Sequence, residues 1–265
     1  MALTTQAAAL TEAHRVEQNK NGALVAYVVA QLWLRSIDAN DISGSAAKLI
    51  ERLIPLLRGR RKDSALLARQ YYPAFRRLEG MQGDGFKLPD LSELNVEQLA
   101  TSLRVTGPVA AMNRIGSLPV GEDGRVNPVL IRAAIEDTAV DISGAATRHV
   151  MNGGRDELQN AVQADELALG YVRVTDADPC YFCAMLASRG PVYGDDSFDE
   201  SDPRFIGEGS HKVHDHCGCS VEPVFSREAQ WPGRAREFED MWLDLSNDLH
   251  RAPTLKDWRR RFEGR

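Results

Sequence analysis

The sequence predicts a mainly α-helical protein with a small α+β zinc-knuckle region in its C-terminal half. Three observations predict it. Apolar residues recur at helical spacing along much of the N-terminal half and again after residue 128. All four cysteines (Cys180, Cys183, Cys217, Cys219) and three of the six histidines (His211, His214, His216) crowd into residues 178–225. Short β-prone runs at 171–174 and 219–225 flank that crowd.

Each element has its own signal. Over 4–37, Leu24, Val28 and Leu32 form an apolar stripe with Val25 and Val29 beside it, which predicts a helix with this face buried, loosened at Asn21-Gly22. Asp41 or Ser43 caps a second helix in which Ala46, Ile50, Leu53 and Leu57 recur. The run 80–89, rich in glycine, is a loop. A short helix over 95–104 is expected to end at Gly107-Pro108, with a further helical turn to 115. Residues 116–128 carry three glycines and two prolines and are the expected boundary between a helical N-terminal region, 1–115, and a domain over 127–225. Pro128, capped by Asn127, opens a helix lined by Ile131, Ile135, Ile142 and Ala146, which Asn152-Gly153-Gly154 should stop. A helix from 155 to 164 leads into the first strand, and after the first cysteine pair come a helix over 183–188 and a strand at 191–193. In 226–265, Phe238, Met241, Trp242, Leu245 and Leu249 mark one helix, and Trp258 and Phe262 share a face of another that docks on the core. The phrase Asp-Ile-Ser-Gly occurs at Asp41 and at Asp141, but the flanking residues diverge and no repeat is implied.

Composition narrows the function. The chain has 265 residues, 43% hydrophobic, with net charge −6, so a generally basic nucleic-acid-binding surface is not expected. The start of the chain has no basic region ahead of an apolar core, and the longest apolar run, 23–34, is too short to cross a bilayer. A cytoplasmic setting with reduced thiols is expected. The most basic stretch holds Arg58, Arg60, Arg61, Lys62, Arg69, Arg76 and Arg77, interleaved with Tyr71, Tyr72 and Phe75. It suits a phosphate backbone with stacked bases or an acidic protein partner, but a solvated helix face with its aromatics turned inward is the favoured reading. Arg259, Arg260 and Arg261 form a second basic cluster. The acidic insert 194–209 lacks the ligand spacing of a calcium loop and reads as solvated.

The cysteine region carries the chemistry. A tetrahedral metal site is usually built from two short chelating pairs brought together by the fold. Cys180 and Cys183 form a C-x-x-C pair, and the second half reads H-x-H-C-x-C. His214 and Cys217 have the spacing of a second pair, whereas Cys217 and Cys219 would share one face of a strand. The chosen ligands are Cys180, Cys183, His214 and Cys217, with Cys219 and His216 as alternates. Disulfides are the weaker reading for a chain long enough to bury a core without staples. Mixed Cys/His donors select zinc. A closed, structural zinc is favoured over a catalytic one: the P-C-x-x-C at 179–183 matches half of the zinc deaminase signature, but the upstream H-x-E is absent.

The order D-x-x-C-x-x-C, G-x-V-Y, an acidic insert, H-x-x-C-x-C and V-x-P-V, together with the segments 148–155 and 170–176, resembles the phage Mu F-like (MuF) minor head, or minor capsid, proteins, in the form found in phages of actinobacteria. The resemblance covers about 127–225. It implies a non-enzymatic protein of phage head morphogenesis, present in the host cytoplasm during assembly and then inside the virion head. There it would meet the portal protein, the capsid interior and, during packaging or ejection, DNA. The alternative from the residues alone is a zinc-dependent nuclease or deaminase with His211 or His216 as base.

Overall fold

The computed structural model describes residues 4–81, 85–190, 214–228 and 230–264. Eight α-helices and two strands occur among them in the order α1 (Thr5–Ser36), α2 (Ile42–Leu78), α3 (Val96–Arg104), α4 (Ala110–Gly116), α5 (Pro128–Ala164), β1 (Gly170–Val174), α6 (Tyr181–Ser188), β2 (Ser220–Val224), α7 (Ala235–Leu249) and α8 (Leu255–Phe262). The mainly α character and the small C-terminal sheet agree with the sequence. The strand expected at 191–193, the insert 194–209 and His211 lie outside the described residues.

Contacts in space group the chain differently from its linear order. One compact unit comprises Asn19–Ser64 and Ser92–Gly153, and the other comprises Met1–Gln18, Ala65–Leu91 and Gly154–Arg265.

In the first of these units, the buried row of α1 is Val25, Val29 and Trp33, whereas Leu24 is 42% exposed. The expected stripe is therefore displaced by one residue. Trp33 decides it: its indole is fully buried and donates to the Ile135 carbonyl at 2.9 Å. The helix does not loosen at Asn21-Gly22, because Asn21 donates to the Arg60 carbonyl and the bare Gly22 lies against Met151. Asp41 caps α2 by accepting from the Gly44 N–H at 2.9 Å, and Ala46, Ile50, Leu53 and Leu57 are buried as expected. Asn95 caps α3.

Gly107-Pro108 does not end that helix. Residues Val105–Val109 form a single π turn that leads into α4. Proline has no N–H to give to the ladder, and a widened turn absorbs the loss. Gly107 is needed there, since a Cβ would meet Ile142 and Trp33. Nor do Asn152-Gly153-Gly154 stop α5, which continues to Ala164. Gly153 is instead a close-approach site. A Cβ on it would stand 2.4 Å from the Arg61 carbonyl oxygen.

In the other unit, β1 and β2 form an antiparallel pair with Val172 opposite Glu222 and Arg173 opposite Val221. Both strands are buried throughout. Pro223 fits because a two-stranded sheet leaves each strand an edge that needs no donor. The sheet packs in a cluster with Tyr71, Tyr72, Phe75 and Leu158. Arg76 forms a buried ion pair with Asp165 at 2.7 Å, which also accepts from the Tyr72 hydroxyl. A third cluster joins α6, α7 and α8 around Phe238 and Trp258. The Trp258 indole donates to the Tyr181 carbonyl at 2.6 Å, so α8 docks as its apolar face predicts.

Two predictions follow from these contacts. Gly153→Ala should destabilise the protein by about 1–3 kcal/mol, because backbone must move, while Gly59→Ala, in open space within α2, should stabilise it by about 0.5–1 kcal/mol. Chemical denaturation of the two variants measures both. His14 and His149 are buried, and burial pushes each imidazole down to about 4. The unfolded chain takes up protons near pH 6.5 that the folded one refuses, so stability should fall from there to about pH 4 and the histidine contribution should level off below. Denaturation midpoints across pH, for wild type and for His14→Gln with His149→Gln, should show a shallower fall in the double variant.

Candidate metal centre

The two cysteine pairs are delivered by different local devices. Cys180 caps the N-terminus of α6, its sulfur accepting from the Cys183 N–H at 3.4 Å, and the first helical turn then carries Cys183 back toward the same point. The second half is a turn. The Cys217 N–H donates to the His214 carbonyl at 3.2 Å, and His216 takes a left-handed conformation with φ 64° at its tip. Beyond it the chain enters β2, which fixes Cys219 at the strand's threshold.

Five donors fall into two overlapping groups of three. Cys180, Cys183 and His214 form one group whose ligand atoms lie within 4.8 Å of one another, and Cys183, Cys217 and Cys219 form another. Cys183 belongs to both. All four cysteines are free, and Cys183, Cys217 and Cys219 are buried. The Cys183 and Cys217 sulfurs are 3.6 Å apart. That is too far for a disulfide and close to the edge, about 3.8 Å, of a tetrahedron with metal–sulfur bonds of 2.3 Å. The residues present therefore fit a thiophilic metal ion. His216, an alternate donor by sequence, is exposed and in neither group, whereas the other alternate, Cys219, is in one.

The electrostatics divide the four cysteines, Cys180 and Cys217 being favoured as thiolates and Cys183 and Cys219 as thiols. Cys180 is held down to about 5, first by its hydrogen bond with Cys183 and further by His214, and His214 is pushed up to about 9, chiefly by Cys180. Cys217 lies well below the ordinary thiol range, through hydrogen bonds from Cys183 and Cys219 and then the charges of Arg155 and Arg173. Cys183 lies well above it, chiefly because it donates to Cys180. His214 Nδ1 faces the Asp215 carbonyl at 2.5 Å, which orients the ring.

Residues that spacing did not single out complete the centre. Arg155, from α5, donates to the carbonyls of both Cys217 and Cys219. Asp176, half-buried, accepts from the Gly218 N–H, and burial raises its pKa. Neither has a chelating spacing, so only the fold reveals them.

The basic clusters are placed less uniformly. Arg61 and Arg76 are buried, donating to the His149 carbonyl and to Asp165, and are lost to any outside partner. Tyr71, Tyr72 and Phe75 are also buried, so no stacking surface forms there. Arg58, Lys62, Arg77, Arg260 and Arg261 are exposed, with Arg60 and Arg259 partly so. Arg259 lies over the Tyr181 ring.

Helices throughout, a buried two-stranded sheet and a cysteine–histidine centre at its end define a class, and comparison with known proteins supplies the family. The chain belongs to the VG15 protein family, a bacteriophage family whose model matches residues 4–245. It is similar to the Gene 15 protein of Mycobacterium phage D29, at 28% identity over 228 residues, covering 76% of this chain and 75% of that one. No solved structure matches. No helix among the described residues is long and apolar enough to cross a membrane.

Cys183 is common to both donor groups, so Cys183→Ser should abolish tight metal binding. Cys180→Ser and Cys219→Ser each spare one group and should weaken binding without abolishing it, Cys180→Ser the more because Cys219 is the alternate donor. Elemental mass spectrometry of the purified variants, with chelator competition, checks this order.

Proposed function

We propose that this protein is a phage minor head protein of the MuF type, a non-enzymatic component that acts at the portal inside the head and is held together by a structural zinc ion. The observation that carries the reading is the pair of donor groups, Cys180 with Cys183 and His214 and Cys183 with Cys217 and Cys219, because these are the cysteines and the histidine of the motif on which the MuF resemblance rests. Membership of a phage family, with a relative in a mycobacteriophage, supports it from the other side. Five thiolate and imidazole donors suit zinc and exceed the four positions of a tetrahedron, which favours a closed site over one that keeps a position for water.

The zinc would be held by Cys180, Cys183, His214 and Cys217, with Cys219 as the exchangeable fifth donor. Bound, it supplies cross-linking between α6 and the turn before β2. Because such a site forms only in the folded chain, binding energy becomes folding energy. The exposed Arg58, Lys62, Arg77, Arg260 and Arg261, with the partly exposed Arg60 and Arg259, would meet the acidic surface of the portal or packaged DNA. With a net charge of −6, contact with DNA would be local and weak.

Two measurements test the reading. The purified protein should carry about one zinc per chain, and a chelator should lower its melting temperature and expose its thiols together; a metal-free protein of unchanged stability overturns the staple. In purified phage heads the chain should be detected by mass spectrometry at few copies and should cross-link to the portal protein. Heads lacking it, with the chain confined to infected-cell lysate, would overturn the head assignment.

A further inference from the structure

We infer that Arg155 is a positioning residue of the metal centre: its buried guanidinium holds the 217–219 backbone in the ligand-presenting turn and offsets the negative charge that metal-bound thiolates leave on the complex. The inference rests on the zinc reading above.

The geometry is specific. Arg155 is only 4% exposed, and one edge of its fork grips a short piece of chain: Nη2 donates to the Cys217 carbonyl at 2.7 Å, and Nε and Nη2 donate to the Cys219 carbonyl at 3.1 and 2.9 Å. Those two carbonyls flank Gly218, so their directions set where the Cys217 and Cys219 sulfurs point. A planar guanidinium does this with a rigidity that an ammonium lacks.

A cation is expensive to bury unless an anion compensates it. Zinc with three thiolates and one imidazole carries one net negative charge, and with four thiolates two. Arg155 therefore stands where the complex is anionic. Arg173, 4% exposed in β1 opposite Val221, adds a second buried cation on the strand paired with β2.

The test compares three variants of the full chain: Arg155→Lys, which keeps the charge and loses the fork; Arg155→Met, which keeps the bulk and loses both; and Leu158→Ala, which opens a packing defect one helical turn away in α5, in the cluster around Tyr71 and Phe75. Zinc dissociation constants are measured by chelator competition well below each melting temperature. The expected order is wild type and Leu158→Ala tightest, Arg155→Lys weaker, and Arg155→Met weakest, about 10–100-fold from wild type. If Arg155→Met does not fold, Arg155→Lys alone decides: it must release zinc faster than both wild type and Leu158→Ala. Wild-type affinity in the Arg155 variants, or a loss in Leu158→Ala equal to theirs, overturns the inference while leaving the zinc site standing. A wild-type protein that binds no zinc overturns both.

Discussion

Cysteines on two separate stretches of chain come together in two donor groups that share Cys183, and Arg155 grips the backbone of Cys217 and Cys219 there. The first pair needs no such help. Cys180 and Cys183 are set by the opening of α6, where the cap and the first turn supply the geometry from neighbouring residues. The second pair sits on an irregular turn with His216 in a left-handed conformation. A turn of that kind would sample many shapes alone. Three hydrogen bonds from a buried fork, with strand pairing from Ser220 onward, reduce them to one.

The surroundings of the strands explain why such a grip can exist in a small sheet. Each strand is buried along its length, and with that burial come charged side chains that the core must satisfy. Glu222 takes a hydrogen bond from Thr11, which also meets the Tyr71 hydroxyl, and Arg76 is locked to Asp165. Polar groups removed from water in this way favour one arrangement, since each alternative leaves a donor or acceptor unmade. The core of the other unit, around Trp33, Leu53 and Leu103, combines buried hydrogen bonds from Trp33 and Arg61 to backbone carbonyls with close approach at Gly107 and Gly153.

Local punctuation was the least dependable part of the sequence. Gly107-Pro108 reads as a stop, yet a π turn carries the helix through it; Asn152-Gly153-Gly154 reads as a stop, yet those residues lie within α5. In each case a glycine was serving packing: Gly107 makes room for Trp33 and Ile142, and Gly153 for the Arg61 carbonyl. The phrase Asp-Ile-Ser-Gly makes the same point. At Asp41 it caps a helix, and at Asp141 it lies inside one, with the carboxylate paired to Arg114.

By itself the sequence determined the mainly helical class, the apolar rows of α2, α5, α7 and α8, the two strands, and the gathering of thiols and imidazole around Cys183. These are properties of periodicity and chelate spacing, which act over a few residues and are written in consecutive letters. Tertiary structure decided which row of α1 faces inward, which arginines of the basic stretch are available, and that Cys219 rather than His216 joins the donors. It also decided that Arg155 and Asp176 belong to the centre. Those outcomes turn on side chains brought together from distant positions, where burial of a charge or a bare Cα is paid for by a partner that no local pattern announces.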